Sequence, residues 1–192
     1  ELNTTLYDAL NDPNNPDPTN DINRFLASQV IIMSLAGVPG IYYHSLFGSR
    51  NSLANVQKTG RARSINRKKF VLKELERRLK DPKNNIGKIF YQLRELLSIR
   101  TQQVAFRPYS EQHTLKIDDR LFGLVRHGPN GGSGILVLIN ISSEQFDVTI
   151  NLANSIFKNL QEMDDLINGG SYAMFDGKLR VTFGPYQSMW LK

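Results

Sequence analysis

Apolar residues recur at helical spacing in three stretches of the first half of the chain and at alternate positions through most of the second half. Ile22, Phe25, Leu26, Val30, Met33 and Ser34 fall on one helical face, and the far end of that segment turns apolar all round. Such a helix packs inside a larger body. Thr19 or Asn20 stands where a cap is needed, with Asp21 in the first turn, and Gly37 stops the pattern. Pro39-Gly40 then leads into Ile41-Tyr42-Tyr43, an aromatic and β-branched run that predicts a short buried parallel strand with both tyrosines in the core. A second helix carries Val71, Leu72, Leu75 and Leu79, with Ser64 or Asn66 as its start and Pro82 as its end. The third helix has the clearest period, with Ile86, Ile89, Phe90, Leu93, Leu96 and Leu97 running through to Arg100. Asn11–Asn20 is rich in Asn, Asp and Pro and reads as a surface loop.

The pattern changes near Val104. Short alternating runs at 121–126, 135–140, 146–152, 179–183 and 189–191 predict strands. His127–Gly134 and Asp176-Gly177 supply the turn chemistry of hairpins. The expectation is therefore α/β followed by all-β. Residues 1–103 form the α/β part, and residues 104–192 form an antiparallel β-sandwich of about eight strands. Trp190, the single tryptophan, lies in an alternating strand and is expected in the core rather than on a binding platform.

Composition narrows the function classes. With 192 residues and 40% hydrophobic content the chain can bury a core. It has no run of about 18 apolar residues and no cationic, then apolar, leader. The absence of cysteine excludes disulfides and thiolate metal sites; a cytoplasmic location fits. The opening Glu1-Leu2-Asn3-Thr4-Thr5 reads like the interior of a fold, which suggests a piece of a longer polypeptide. Net charge is +6, but residues 58–83 alone carry eleven Lys or Arg against three Asp or Glu. Part of that excess, 68–83, is expected to be a solvated helix face. Acidic residues interrupt it and no stacking aromatics accompany it, so no nucleic-acid partner is expected.

The candidate chemistry lies in the long loop at 45–64, after the expected strand. Strand-end loops hold the active sites of barrel enzymes, and loops of this length tend to be functional. His44, Ser45, Arg50, Arg61 and Arg63 offer hydrogen-bond donors and fixed cations suited to sugar hydroxyls or phosphate. Asp12, Asp17 and Asp21 read as loop and helix-cap residues, and no catalytic pair is visible. His44, His113 and His127 are expected to be far apart and lack ligand spacing, so no metal is expected. The glycines at 128–134 are not followed by Lys-Ser/Thr and do not make a phosphate loop.

Several segments carry a resemblance. Gly37-Val-Pro-Gly-Ile-Tyr-Tyr43, the junction Leu96-Leu-Ser-Ile-Arg-Thr-Gln-Gln-Val-Ala-Phe-Arg107 and the β-rich tail together resemble the C-terminal end of an α-amylase-family enzyme. In that family a (β/α)8 barrel precedes a β-sandwich. Glu1-Leu-Asn-Thr-Thr5 and Gly60-Arg-Ala-Arg-Ser-Ile-Asn-Arg67 are similar to the sucrose phosphorylase branch. The resemblance implies a parent enzyme that transfers glucose, with retention, from sucrose or a related α-glucoside to inorganic phosphate, without an organic cofactor. It places the three catalytic carboxylates upstream of Glu1, so this chain alone is expected to be inactive. It matches Arg63 to the arginine that binds glucose hydroxyls. Arg61 has no counterpart in the shorter form of that loop and suits phosphate or an anionic acceptor. His44-Ser-Leu-Phe-Gly-Ser-Arg50 replaces a glycine-rich stretch and looks closer to branch members that use phosphorylated sucrose or glucosylglycerate. Asn66 and Arg67 are expected to cap the following helix. The first 45 residues are expected to need a partner, either the missing N-terminal barrel or another copy of the chain. The alternatives are an α-amylase-type glycoside hydrolase and a non-catalytic carbohydrate-binding or structural β-domain.

Overall fold

The structure, a computed structural model, describes residues 3–129 and 133–192. Two features named above, the Glu1-Leu2 opening and the centre of the 127–134 turn, therefore lie partly outside the described residues. The chain divides into two compact units. One holds residues 3–26 and 40–95, and the other holds 27–39 and 96–192.

The first unit is helical. Helix α1 spans Leu6–Leu10, and Thr5 Oγ1 caps it by accepting from Asp8 N at 3.3 Å. Helix α2, Pro18–Ser34, begins in this unit. Its cap is not Thr19 or Asn20 but Asp17, whose carboxylate accepts from Asn20 N at 3.2 Å. Pro18 takes the first helical position, where a missing N–H costs nothing. Helices α3, Tyr43–Leu46, and α4, Leu53–Thr59, follow, then a 3-10 turn at Ala62–Asn66. Helix α5, Leu72–Lys80, starts later than expected and has no side-chain cap. Helix α6, Asn85–Gln102, is capped by Asn84 Oδ1, which accepts from Ile86 N at 3.0 Å. Tyr7, Ile22, Phe25, Ile89 and Leu93 are buried. Phe47, Phe70 and Phe90 pack ring to ring, at centroid distances of 5.3 and 5.7 Å from Phe47.

Three expectations fail here. Ile41–Tyr43 forms no strand, because a strand exists only as one side of a hydrogen-bonded pair and the described residues of this unit contain no other strand. Tyr42 and Tyr43 are consequently half exposed rather than core. The 45–64 loop is broken by α4, whose start is fixed by Ser52 Oγ accepting from Asn55 N and whose end is fixed by Gly60 in the left-handed region.

The second unit is a β-sandwich with eight strands among the described residues. They are β1 (Gln112–Leu115), β2 (Leu121–Arg126), β3 (Ile135–Asn140), β4 (Phe146–Asn151), β5 (Glu162–Asp164), β6 (Ser171–Phe175), β7 (Lys178–Phe183) and β8 (Ser188–Leu191). All pair antiparallel in two sheets, ordered β1-β2-β3-β8 and β4-β7-β6-β5. Leu136, Leu138, Met163, Leu179, Val181, Phe183, Met189 and Leu191 fill the space between them. Asp176 and Gly177, both at positive φ, make the tight turn joining β6 and β7.

Every residue of β3 is buried, so its sheet is covered on both faces. The outer cover comes from the end of α2 and from residues 100–110. Trp190 packs on Phe106 at 4.6 Å and donates from Nε1 to Ser34 Oγ at 2.8 Å. Arg126 is wholly buried, and among the described residues no carboxylate pairs with it. Its Nη1 donates to Ser34 O at 2.7 Å, and its Nη2 donates to Arg107 O and Ser110 O. Arg100 donates to Met33 O and Gly37 O. Two guanidiniums thus satisfy the carbonyls that a helix C-terminus leaves bare, where the helix dipole favours cations. Burial, and the Arg100 charge nearby, push the Arg126 guanidinium below its ordinary pKa.

Candidate functional site

Residues 44–52 are shaped by a close backbone approach and one buried carboxylate. Gly48 has φ +53°, which favours glycine, and a Cβ there would stand 2.3 Å from Ile89 Cδ1, so a larger residue would have to displace that buried side chain. Beyond it, Asp8 of α1 accepts from Arg50 Nε at 2.8 Å and from Asn51 N at 2.6 Å. Asn51 Oδ1 in turn accepts from Thr5 N at 2.7 Å, and its Nδ2 donates to Thr4 Oγ1. The carboxylate raises the Arg50 pKa further by hydrogen bonding. The segment is held to the N-terminus of α1 by charge-assisted bonds, the stronger kind.

His44 is buried, with 3% of its surface exposed. Nδ1 lies 3.0 Å from Ser49 Oγ, while Nε2 has no partner. Burial lowers its pKa, so the ring is held neutral. An N–H donor is the costlier group to leave unpaired, so the tautomer that fits is Nδ1–H donating to Ser49. His44 lines a small cavity of about 90 Å³ with Thr5, Tyr7, Tyr42, Ser49 and Asn66. Arg50 lines a larger cleft of about 340 Å³ that shares Tyr7 and Ser49 with it. Arg61 and Arg63 line neither; both are exposed on or beside the 3-10 turn. That turn is tied down by its neighbours. Ser52 N donates to Ile65 O at 2.8 Å, Asn66 Nδ2 to Thr4 O at 3.2 Å, and Thr59 Oγ1 to Ser64 Oγ at 2.6 Å. Tyr42 and Tyr43 donate their hydroxyls to Asn66 O and Lys68 O. Asn66 therefore serves the 3-10 turn and not the cap of α5.

These features define a basic wall in which, among the described residues, no catalytic pair of carboxylates is seen. The carboxylates near it are engaged structurally. Asp8 holds Arg50, Asp12 closes a turn by accepting from Asn14 N, Asp17 caps α2, and Asp21 lies 3.4 Å from Arg24. No family model matches the chain. Similarity to individual proteins is extensive. A glucosylglycerate phosphorylase of Allomeiothermus silvanus is 37% identical over 192 residues, covering 100% of this chain and 31% of that protein. A sucrose 6(F)-phosphate phosphorylase of Thermoanaerobacterium thermosaccharolyticum is 32% identical over 106 residues, or 55% of this chain and 19% of that protein. The chain belongs to the α-amylase family. Within it, the similarity is to the branch of glucosylglycerate and sucrose phosphorylases. The chain spans about a third of the length of the glucosylglycerate phosphorylases it matches and corresponds to their C-terminal part. Among solved structures, AmyP in complex with maltose superposes with a TM-score of 0.71 at 12% identity, over 93% of this chain and 36% of that one. That likeness gives the fold: the C-terminal end of a (β/α)8 barrel, then an antiparallel β-sandwich.

Asp8, Asn51, Lys68 and Arg78 were not singled out by sequence reasoning. Asp8 carries no local signal, since its partners are 42 and 43 residues away. Lys68 and Arg78 lay inside the stretch read as a solvated face, yet both line the 340 Å³ cleft. The histidines also need correction. His113 and His127 are not far apart: antiparallel β1–β2 pairing brings their ring centroids to 4.8 Å. Among the described residues, no group of three potential His, Asp or Glu ligands converges. No helix among them is long and apolar enough to cross a membrane.

Proposed function

We propose that these residues are the C-terminal part of a retaining α-glucoside phosphorylase, with glucosylglycerate as donor and inorganic phosphate as acceptor. The observation that carries this reading is the match of glucosylglycerate phosphorylases to the whole chain at 30–37% identity, where the sucrose 6(F)-phosphate phosphorylase matches about half. In such a reaction a carboxylate displaces the aglycone at the glucose anomeric carbon while a second carboxyl protonates the leaving oxygen. Phosphate then attacks the same carbon, releases the first carboxylate and gives up its proton to the second. Both carboxylates belong to the remainder of the barrel.

This chain's share is binding and positioning. Arg63 donates a fork of hydrogen bonds to glucose hydroxyls, and Arg61 faces the anionic acceptor. Arg50 supplies positive charge from the neighbouring segment, and His44, through Ser49, fixes the path of residues 44–49. Residues 1–103 complete the barrel, and residues 104–192 form the appended domain. Val38 is 81% exposed, and Tyr42 and Tyr43 are half exposed; the remainder of the barrel packs on these apolar groups.

The test is phosphate-dependent release of glucose 1-phosphate from glucosylglycerate, sucrose and sucrose 6-phosphate, by this chain and by the polypeptide that includes the remaining two thirds. Activity only in the longer protein, greatest on glucosylglycerate, is expected. A charge-assisted hydrogen bond is worth roughly 1.5–3 kcal/mol, so Arg63→Ala should lower kcat/KM at least about tenfold. Unchanged kinetics in Arg63→Ala would remove that residue from the site. Silence toward all three glucosides would remove the phosphorylase reading.

A further inference from the structure

The 340 Å³ cleft has an unusual lining. Arg50, Lys68 and Arg78 line it, and among the described residues no carboxylate does. The three cations come from separate places: the segment after α3, the segment before α5, and the last turn of α5. Asn51 and Asn85 add amide groups, Ser52 adds a hydroxyl, and Tyr7 and Phe70 add aromatic surface.

We infer that this cleft binds a phosphate group, borne by inorganic phosphate or by a phosphorylated sugar. A planar carboxylate is satisfied by one guanidinium fork. A tetrahedral dianion takes donors from several directions, which is what three cations on separate segments provide. The existing partners of the arginines do not block it. Asp8 engages Arg50 through Nε, and the guanidinium carbon lies 5.7 Å from the centroid of the Tyr7 ring, which lines the same cleft. Arg78 meets Glu74 in an exposed pair one helical turn away, and pairs of this type are weak enough to exchange for a dianion. Lys68 is anchored through its backbone, whose carbonyl accepts from Tyr43 at 3.1 Å, so its ammonium has a fixed base. A low-dielectric wall of Tyr7 and Phe70 strengthens the field that these cations create. The aromatic surface also gives a sugar ring attached to the phosphate something to cover.

The inference rests on the cleft and not on the phosphorylase reading, because binding is measured directly and without turnover. Inorganic phosphate, glucose 1-phosphate and glucose are titrated into the protein by calorimetry at fixed ionic strength, with chloride as the balancing salt. Saturable one-site binding of inorganic phosphate and glucose 1-phosphate, with none for glucose, is expected. Tighter binding of glucose 1-phosphate than of phosphate assigns the cleft to a phosphorylated sugar; equal binding assigns it to the free anion. Lys68→Gln with Arg78→Gln should weaken either by about tenfold or more, while Lys68→Arg retains it. Lys68 is exposed and Arg78 is partly exposed, and an unchanged urea midpoint confirms that the double variant folds. Absence of saturable phosphate binding, or binding unaltered in the folded double variant, would overturn the inference.

Discussion

Asp8 accepts from Arg50 Nε at 2.8 Å and from Asn51 N at 2.6 Å, so one carboxylate fixes two successive residues of the segment that follows Gly48. The Asp8 side chain is nearly buried, whereas that of Arg50 is almost half exposed. The two halves of the pair are therefore not equivalent. Asp8→Asn keeps the shape but replaces one of the two accepting oxygens with an NH2 group that faces a donor, and should cost about 1–3 kcal/mol. Arg50→Ala leaves a buried carboxylate with one remaining donor and should cost a similar amount. A double-mutant cycle in urea should give a coupling of at least about 0.5 kcal/mol; additive losses would show that the pair holds nothing together.

Trp190 reports on the outer cover of its sheet. It is the only tryptophan, it is fully buried, and its Nε1 donates to Ser34 Oγ. Ser34→Ala leaves a buried indole N–H unpaired and should destabilise the β-domain by about 1–3 kcal/mol. Native fluorescence should be blue-shifted, and thermal unfolding followed at that signal should fall by several degrees in the variant, at about 2–4 °C per kcal/mol. An unchanged midpoint would mean that the indole finds another acceptor.

His44 sets a pH dependence. Burial lowers its pKa below the ordinary 6.5. Between the folded and unfolded values the unfolded chain binds more protons, so this contribution is fully present above about pH 6.5 and is lost as pH falls through the folded value. Urea midpoints should decrease on acidification from about pH 7.5 to 5.5. His44→Gln should flatten that slope while it lowers the midpoint at the upper pH. An identical slope in the variant would assign the dependence to another group.

Arg120 is held on the Phe146 ring, 4.0 Å from its centroid, while it donates to Asp118 and Glu144. Hydrogen bonding to Arg120 lowers the Asp118 carboxyl from 3.8 to about 2. Carbon-detected NMR titration should find that midpoint, and Arg120→Ala should return it toward 3.8. Because both partners are partly exposed to solvent, little change in stability is expected from the ion pair itself. A midpoint near the ordinary value in the native protein would show that the bond does not persist in solution.

The sequence by itself determined the elements whose physics is local. Short apolar runs marked β2, β3, β4, β7 and β8; β4 and β7 do bury every second side chain, whereas β2, β3 and β8 are buried almost throughout because their sheet is covered on both faces. The Asp176-Gly177 turn was legible because both positions need positive φ. Helical period marked α2 and α6, and the alternating strand around Trp190 placed it in the core. Strands β1, β5 and β6 escaped because their burial is slight, with only Met163 and Met174 buried among their residues. Sequence also drew attention to the 44–67 segment, since arginines and a histidine crowd the stretch that follows Pro39-Gly40-Ile41-Tyr42-Tyr43.

Tertiary structure decided what those side chains do. The Ile41–Tyr43 run has strand composition, yet without a neighbouring strand its backbone stays unpaired and its tyrosines staple the 3-10 turn instead. Arg50 is engaged by Asp8, and Arg126 is buried among carbonyls, through contacts 42 and 92 residues apart. His113 and His127 meet only because β1 and β2 pair. Lys68 and Arg78 read as solvated charge in sequence, because periodicity records which side of a helix is polar and not what the chain folds up beside it. Hydrogen bonds, ion pairs and desolvation depend on distance in space, and the order of residues fixes that distance only over a turn or two of chain.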